Sequence, residues 1–353
     1  MSQHLPLMAL LFAVTAGLSA ALTALVLRVA VKRGLVDSRT DERRVHKTPV
    51  PRLGGLAMFA AFAVGVGLMF LFNVWEVERP LEGNTRYEPW RILAVLMGAG
   101  IITLVMAVDD VRDLKPLTRL LWQVGSAVFV IVPALLWPGG PNPGEGPDAR
   151  HYDQGAGVIA LSIQNPFGST LQFPLVLGVI FTAFWLVGVT NTINWIDGLD
   201  GLAAGVTVVA CTVLFVITGP VLGQWTLAYV PLLLGAATLG FLPFNIHPAR
   251  IFMGDSGAMF LGFTLAVIAI IGGAKLAAAL LVLGIPLLDG VYMILSRLYR
   301  GRSPLSADRG HLHHRLLDIG FTQWQVVILF YLLCGTFGVV AFLFTNSSRF
   351  VSL

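Results

Sequence analysis

Charge is what this sequence has least of. Only 12% of its 353 residues are Asp, Glu, Lys or Arg, while 56% are hydrophobic and mean hydropathy is +0.80. That balance excludes an ordinary soluble domain and leaves an all-α polytopic membrane protein forming a single integral-membrane unit over residues 1–353. Cysteine is nearly absent too. Cys211 and Cys334 lie inside apolar runs, read as buried thiols and say nothing about redox compartment. No HEXXH motif occurs, and no basic domain interleaved with aromatics exists, so the net charge of +4 is no nucleic-acid footprint.

What is present is a series of apolar runs, each near the ~20 residues needed to cross the hydrocarbon. The first, from about Leu5 to Val31, is too long for a signal-peptide core and lacks a basic leader, so it should remain as a span. Further runs start near Gly54, Arg91, Leu117, Phe173, Leu202, Leu222, Ala258, Leu276 and Trp324, which predicts about ten spans. The run from Ala258 to Ile271 is short and ends at Gly272 and Gly273. Of the 23 Lys and Arg, all but Arg79, Arg86, Arg91, Arg150, Lys275 and Arg349 fall in the connections after odd-numbered spans. The positive-inside rule then puts those connections in the cytoplasm and both termini outside. On the outward side, Val158–Ile163 and Thr170–Phe173 flank NPFGS and predict a small exposed β-hairpin.

The inward connections hold nearly all the unusual polar residues. NTINWIDGLDGLAAG (191–205) sets Asn191, Asn194, Asp197 and Asp200 between two apolar runs, with Gly198 and Gly201 beside them. If the segment is helical, Asn194, Asp197 and Asp200 share roughly one face, the outline of a cation or phosphate site; the plainer alternative is that an Asp caps the next helix. VDDVRDLKPLTRLLWQ carries Asp109, Asp110 and Asp113, with Lys115 and Arg119 next to them. Three carboxylates at a membrane boundary repel unless a cation sits among them, although a solvated, salt-bridged helix end would also account for them. FNIHPARIFMGDSG carries Asn245, His247, Arg250 and Asp255, and Asp255 could be an N-cap as readily as a metal ligand. Asp289 lies inside the ninth span, where it should bond to neighbouring helices or line a polar cavity. His311, His313, His314 and Arg315 crowd one stretch, a donor set that suits an anion such as phosphate better than a transition metal. His46 and Lys47 in VHKTPVPRLGG anchor the first loop or face that anion.

Five motifs in this order, PRLGG, DDVRDL, NTINWIDGLDGLAAG, FNIHPARIFMGDSG and GHLHHRLL, resemble the polyprenyl-phosphate N-acetylhexosamine-1-phosphate transferases. The HLHHR form is similar to the WecA/TagO-like branch of the superfamily shared with the phospho-MurNAc-pentapeptide translocase. The resemblance implies transfer of a sugar phosphate from a UDP-N-acetylhexosamine, with GlcNAc-1-phosphate first among the candidates, to polyprenyl phosphate such as undecaprenyl phosphate. UMP leaves, Mg²⁺ (or Mn²⁺) assists, and the site faces the cytoplasm from the cell membrane. It further implies Asp255 as the metal-binding Asp, Asn194 as a pyrophosphate or metal-shell contact, Asp109 and Asp110 as paired acids near the lipid phosphate, and Asp197 beside the diphosphate. Asp200 and Asn245 would lie near the uridine, and His311, His313, His314 and Arg315 around sugar and pyrophosphate, with Lys47 a further candidate for substrate binding. Arg119 stands where relatives usually have Lys; either cation can face a pyrophosphate. A homodimer is an open expectation. A secondary transporter would need intramembrane acids on an internal repeat, and no motif repeats between the halves.

Overall fold

The protein is described by a computed structural model that covers residues 4–34, 50–74, 87–137, 156–164, 170–271, 276–301, 303 and 310–351. Helices dominate: α1 (Leu5–Lys32), α2 (Gly54–Leu71), α3 (Glu88–Arg112), α4 (Pro116–Leu136), α5 (Leu175–Ile196), α6 (Leu202–Val216), α7 (Trp225–Asn245), α8 (Gly254–Ile270), α9 (Leu276–Val282), α10 (Gly284–Tyr299), α11 (Leu312–Asp318) and α12 (Gln323–Val351). A short π-helical stretch, Ile217–Val221, prolongs α6. Strands β1 (Ser162–Gln164) and β2 (Thr170–Gln172) pair antiparallel, Ile163 opposite Leu171, and are shorter than the flanking runs predict. The residues joining them lie outside those described.

Eight helices among the described residues are long and apolar enough to cross a membrane, or nine if α9 and α10 count as one span bent by 75°. The predicted eighth crossing corresponds to α8, which at 17 residues is shorter than the rest. Its environment explains its composition. Every residue of α8 except Asp255 is buried, because α2, α3, α5 and α6 pack around it; a helix apolar on all faces belongs at the centre of a bundle. The Trp185 indole N–H of α5 donates to Ala266 O at 2.9 Å, tying α5 to that post. Buried hydroxyls of Thr103, Thr190 and Thr264 donate to carbonyls one turn back in their own helices. Without water, that is the nearest acceptor.

Because α8 is central, its first turn is where the ends of α3, the start of α4 and the end of α5 meet.

Candidate functional site at the head of α8

The N-terminus of an α-helix leaves backbone N–H groups without partners. In α8 an acid from another helix takes them. Asp110 Oδ1 accepts from the N–H of Asp255 at 2.7 Å, and Oδ2 accepts from the N–H and hydroxyl of Ser256 at 3.1 and 2.6 Å. Gly254, with φ +72°, makes the approach: a Cβ there would stand 2.5 Å from Asp110 Oδ2. Asp255 is therefore not an N-cap. Its side chain turns away from the helix terminus and remains half-buried.

Two neighbours hold the Asp255 carboxylate. The Asn194 amide donates to Oδ1 at 2.8 Å and the Arg119 guanidinium to Oδ2 at 2.8 Å. The same guanidinium lies 3.1 Å from Asp109 Oδ1 through Nε, donates to Leu114 O at 3.2 Å, and reaches Asp113 at 3.9 Å. One planar cation thus spans carboxylates from α3 and α8, which a fork can do and a point charge cannot. Asp113 departs from the helical spacing expected for it, because α3 ends at Arg112 and Asp113 turns out with φ 52°.

Asp197 follows the last residue of α5. Part of its surface is accessible, yet protein encloses the carboxyl, and this desolvation, then the charges of Asp255 and Asp110, raises its pKa well above the usual carboxylate range. Arg52, just before α2, pulls the other way. Neither Asp197 nor Asp200 caps α6, which starts from Gly201 without a side-chain cap. Asp200 Oδ2 instead accepts from the N–H of Ala249 at 3.1 Å and lies 2.8 Å from His247 Nδ1. Asn245 is equally occupied, accepting from the Gly201 N–H and donating to Ile251 O, both at 3.1 Å. These two residues fix the 197–201 turn against the loop after α7.

The histidines arrive through α11. Asp289 on α10 accepts from the N–H of Leu312 and lies 2.8 Å from His311 Nδ1, the inter-element bond expected of an acid inside a span. His311 and His313 stack at 5.8 Å, and His313 and His314 lie 4.3 Å apart. His313 is buried, neither ring nitrogen is hydrogen-bonded among the described residues, and it rests on Gly198, where a Cβ would meet its Nε2 at 2.5 Å. Burial first, then His314 and His311, holds its imidazole well below the usual range, so it is neutral. Arg315 is exposed and lies over the Tyr292 ring at 5.6 Å.

The structure therefore brings Asp109, Asp110, Arg119, Asn194, Asp197 and Asp255 together, with His313 and His314 over the adjoining Gly198. Lys47 lies outside the described residues. No motif in the sequence assigns a role to Gln123, which forms a reciprocal amide pair with Asn191, at 2.6 and 3.2 Å, one turn beneath Arg119 and Asn194. Its signal was a polar residue four positions after Arg119. In the sequence Arg52 is one more cation of the first inward connection, set apart by its place in PRLGG.

Does this set suit a hard divalent cation? Among the described residues Asp109 Oδ2 is a buried carboxylate oxygen that no N–H or hydroxyl donor reaches, beside the Asp255 carboxyl, and all the acids offer oxygen. Among the described residues no three His, Cys, Asp or Glu side chains converge as a closed metal cage. The residues fit a cation held by one or two carboxylates with water and phosphate oxygens completing its shell, as Mg²⁺ is commonly held.

Residues 92–273, which contain most of this cluster, match the family model described as glycosyl transferase family 4. A Bacillus subtilis protein named probable undecaprenyl-phosphate N-acetylglucosaminyl 1-phosphate transferase is 31% identical over 341 residues, covering 94% of this chain and 83% of its own. The decaprenyl-phosphate N-acetylglucosaminephosphotransferase of Mycobacterium tuberculosis is 32% identical, over 86% of this chain and 75% of its own. The undecaprenyl-phosphate alpha-N-acetylglucosaminyl 1-phosphate transferase of Salmonella typhi is 29% identical, over 86% and 74%. Together with the multiple apolar helices, these matches establish that the chain belongs to glycosyl transferase family 4 and is a membrane transferase.

Proposed function

We propose that the protein transfers N-acetylhexosamine-1-phosphate, GlcNAc-1-phosphate first among the candidates, from a UDP-sugar to polyprenyl phosphate, starting a cell-envelope glycan. An oxygen of the lipid phosphate attacks the sugar-bearing phosphorus of the donor, the bond to the bridging oxygen breaks, and UMP leaves with the electron pair. One phosphoanhydride is exchanged for another. The free-energy change is therefore small, and the protein's work is positioning and charge neutralisation. A lipid phosphate is already largely ionised at neutral pH, so direct displacement needs no strong base.

The observation that carries this reading is the grouping of carboxylates, Arg119 and Asn194 at the head of a wholly buried helix. A divalent cation bound through Asp255 would neutralise the diphosphate charge. Asp110 holds the α8 terminus in place, Asn194 orients Asp255, and the histidines of α11 supply donors for sugar or phosphate oxygens. The surplus of Lys and Arg in odd-numbered connections supports ten crossings, an outward β1–β2 pair, both termini outside and a site open to cytoplasmic UDP-sugar. Purified protein given Mg²⁺, undecaprenyl phosphate and a panel of UDP-sugars should release UMP with a UDP-N-acetylhexosamine. Absence of release with every sugar would refute the reading.

A further inference from the structure

Arg119 stands where the charge balance of the site requires a cation. Asp109 is 1% exposed, and a carboxylate that deep beside Asp255 is strongly unfavourable without a positive partner. Among the described residues the guanidinium pairs with both acids, with Nε on Asp109 and Nη1 on Asp255. The same contact sets a positive charge against the acid that would take the metal. Asp255 Oδ1 accepts from Asn194 and Oδ2 from Arg119; each oxygen keeps a second lone pair, but a divalent cation on this carboxylate would sit against the guanidinium charge. A guanidinium does not lose its proton at any ordinary pH. Its repulsion of a second cation is relieved only by a change of position, and its long side chain, 28% exposed, has the surface for one.

We propose that Arg119 is an exchangeable internal counter-ion, which holds Asp109 and Asp255 together before metal binds and competes with the divalent cation for Asp255. This rests on the reading that Asp255 takes a divalent cation. Two consequences of opposite sign follow. Removing the guanidinium leaves the carboxylates repelling one another, so the metal-free protein loses stability. The same removal opens Asp255, so the metal binds more tightly. A merely structural salt bridge would give the first consequence without the second, and a residue that helps hold the metal-bound state would give the reverse of the second.

The test uses the full-length protein in detergent with Mn²⁺ alone, its affinity followed by electron paramagnetic resonance and its melting temperature measured with and without the ion. Arg119→Gln should bind Mn²⁺ about 10- to 100-fold more tightly than wild type, the equivalent of one charge-assisted hydrogen bond. It should melt lower than wild type without metal, and added Mn²⁺ should narrow that gap. Arg119→Lys keeps one charge but cannot grip two carboxylates at once, so its affinity should fall between the two; it carries the comparison if the glutamine variant does not fold. Asp255→Asn should lose Mn²⁺ binding. Equal or weaker binding by both Arg119 variants, with wild type binding and Asp255→Asn not binding, overturns the counter-ion role and leaves the metal site standing. No Mn²⁺ binding by any of the proteins overturns both.

Discussion

Asp110 of α3 accepts two hydrogen bonds from Ser256 through a single carboxylate oxygen, one from its backbone N–H and one from its hydroxyl. A third, from the Asp255 N–H, makes this acid the closure of the α8 N-terminus, with its charge matched to the helix dipole. Asp110→Asn would turn one acceptor into a donor facing donors, at a cost of about 1–3 kcal/mol. The variant should melt at lower temperature, and turnover should fall as the head of α8 loosens. Wild-type melting with lost turnover would instead place Asp110 in the chemistry.

Asp255 should behave differently. It closes nothing and is held by two side chains, so Asp255→Asn should leave the fold intact while lowering turnover by about 30- to 1,000-fold, or roughly 2–4 kcal/mol of charge stabilisation. Melting temperature and UMP release, measured on one preparation, separate the two acids. A near-normal rate would remove Asp255 from the site.

His313 gives a pH signature. Its pKa is lowered in the folded state, and in the unfolded chain it should be near 6.5. As pH falls through about 6.5 the unfolded chain gains a proton that the folded one refuses, so stability is complete above that pH and drops by up to about 1.4 kcal/mol per unit below it. His313→Gln removes this component. The difference in melting temperature between pH 7.5 and 5.5 should be smaller in the variant than in wild type; an unchanged difference would mean that His313 is charged in the fold.

Orientation can be tested from outside. Cys211 and Cys334 are buried and free, so the background of thiol labelling is low. Single cysteines at Ser38 and Ser306 should resist impermeant reagents in intact cells, while one at Ser169 should react. Labelling at all three positions would overturn the ten-crossing arrangement.

Some of this protein was legible in its sequence because the physics is local. Scarce charge and ~20-residue apolar runs demand membrane helices whatever their packing. Acids and amides at the ends of such runs are too unfavourable in lipid to be incidental, so Asp109, Asp110, Asn194, Asp197 and Asp255 stood out before any contact was known. Roles were another matter. Periodicity could not show that α8 is enclosed on all sides, since a short, uniformly apolar helix reads the same at the centre and at the rim. Nor could it separate Asp110, which closes a helix, from its neighbour Asp109, which meets Arg119: adjacent residues on a helix point about 100° apart, and what each meets depends on which helices lie there. Nor could it show that Asp200 meets His247 and the Ala249 N–H, or that Asn245 bridges Gly201 and Ile251. The sequence by itself determined which residues are too polar to be idle. Only the tertiary structure, by bringing α3, α4, α5 and α8 to one point, decided which are spent on holding the fold and which face outward.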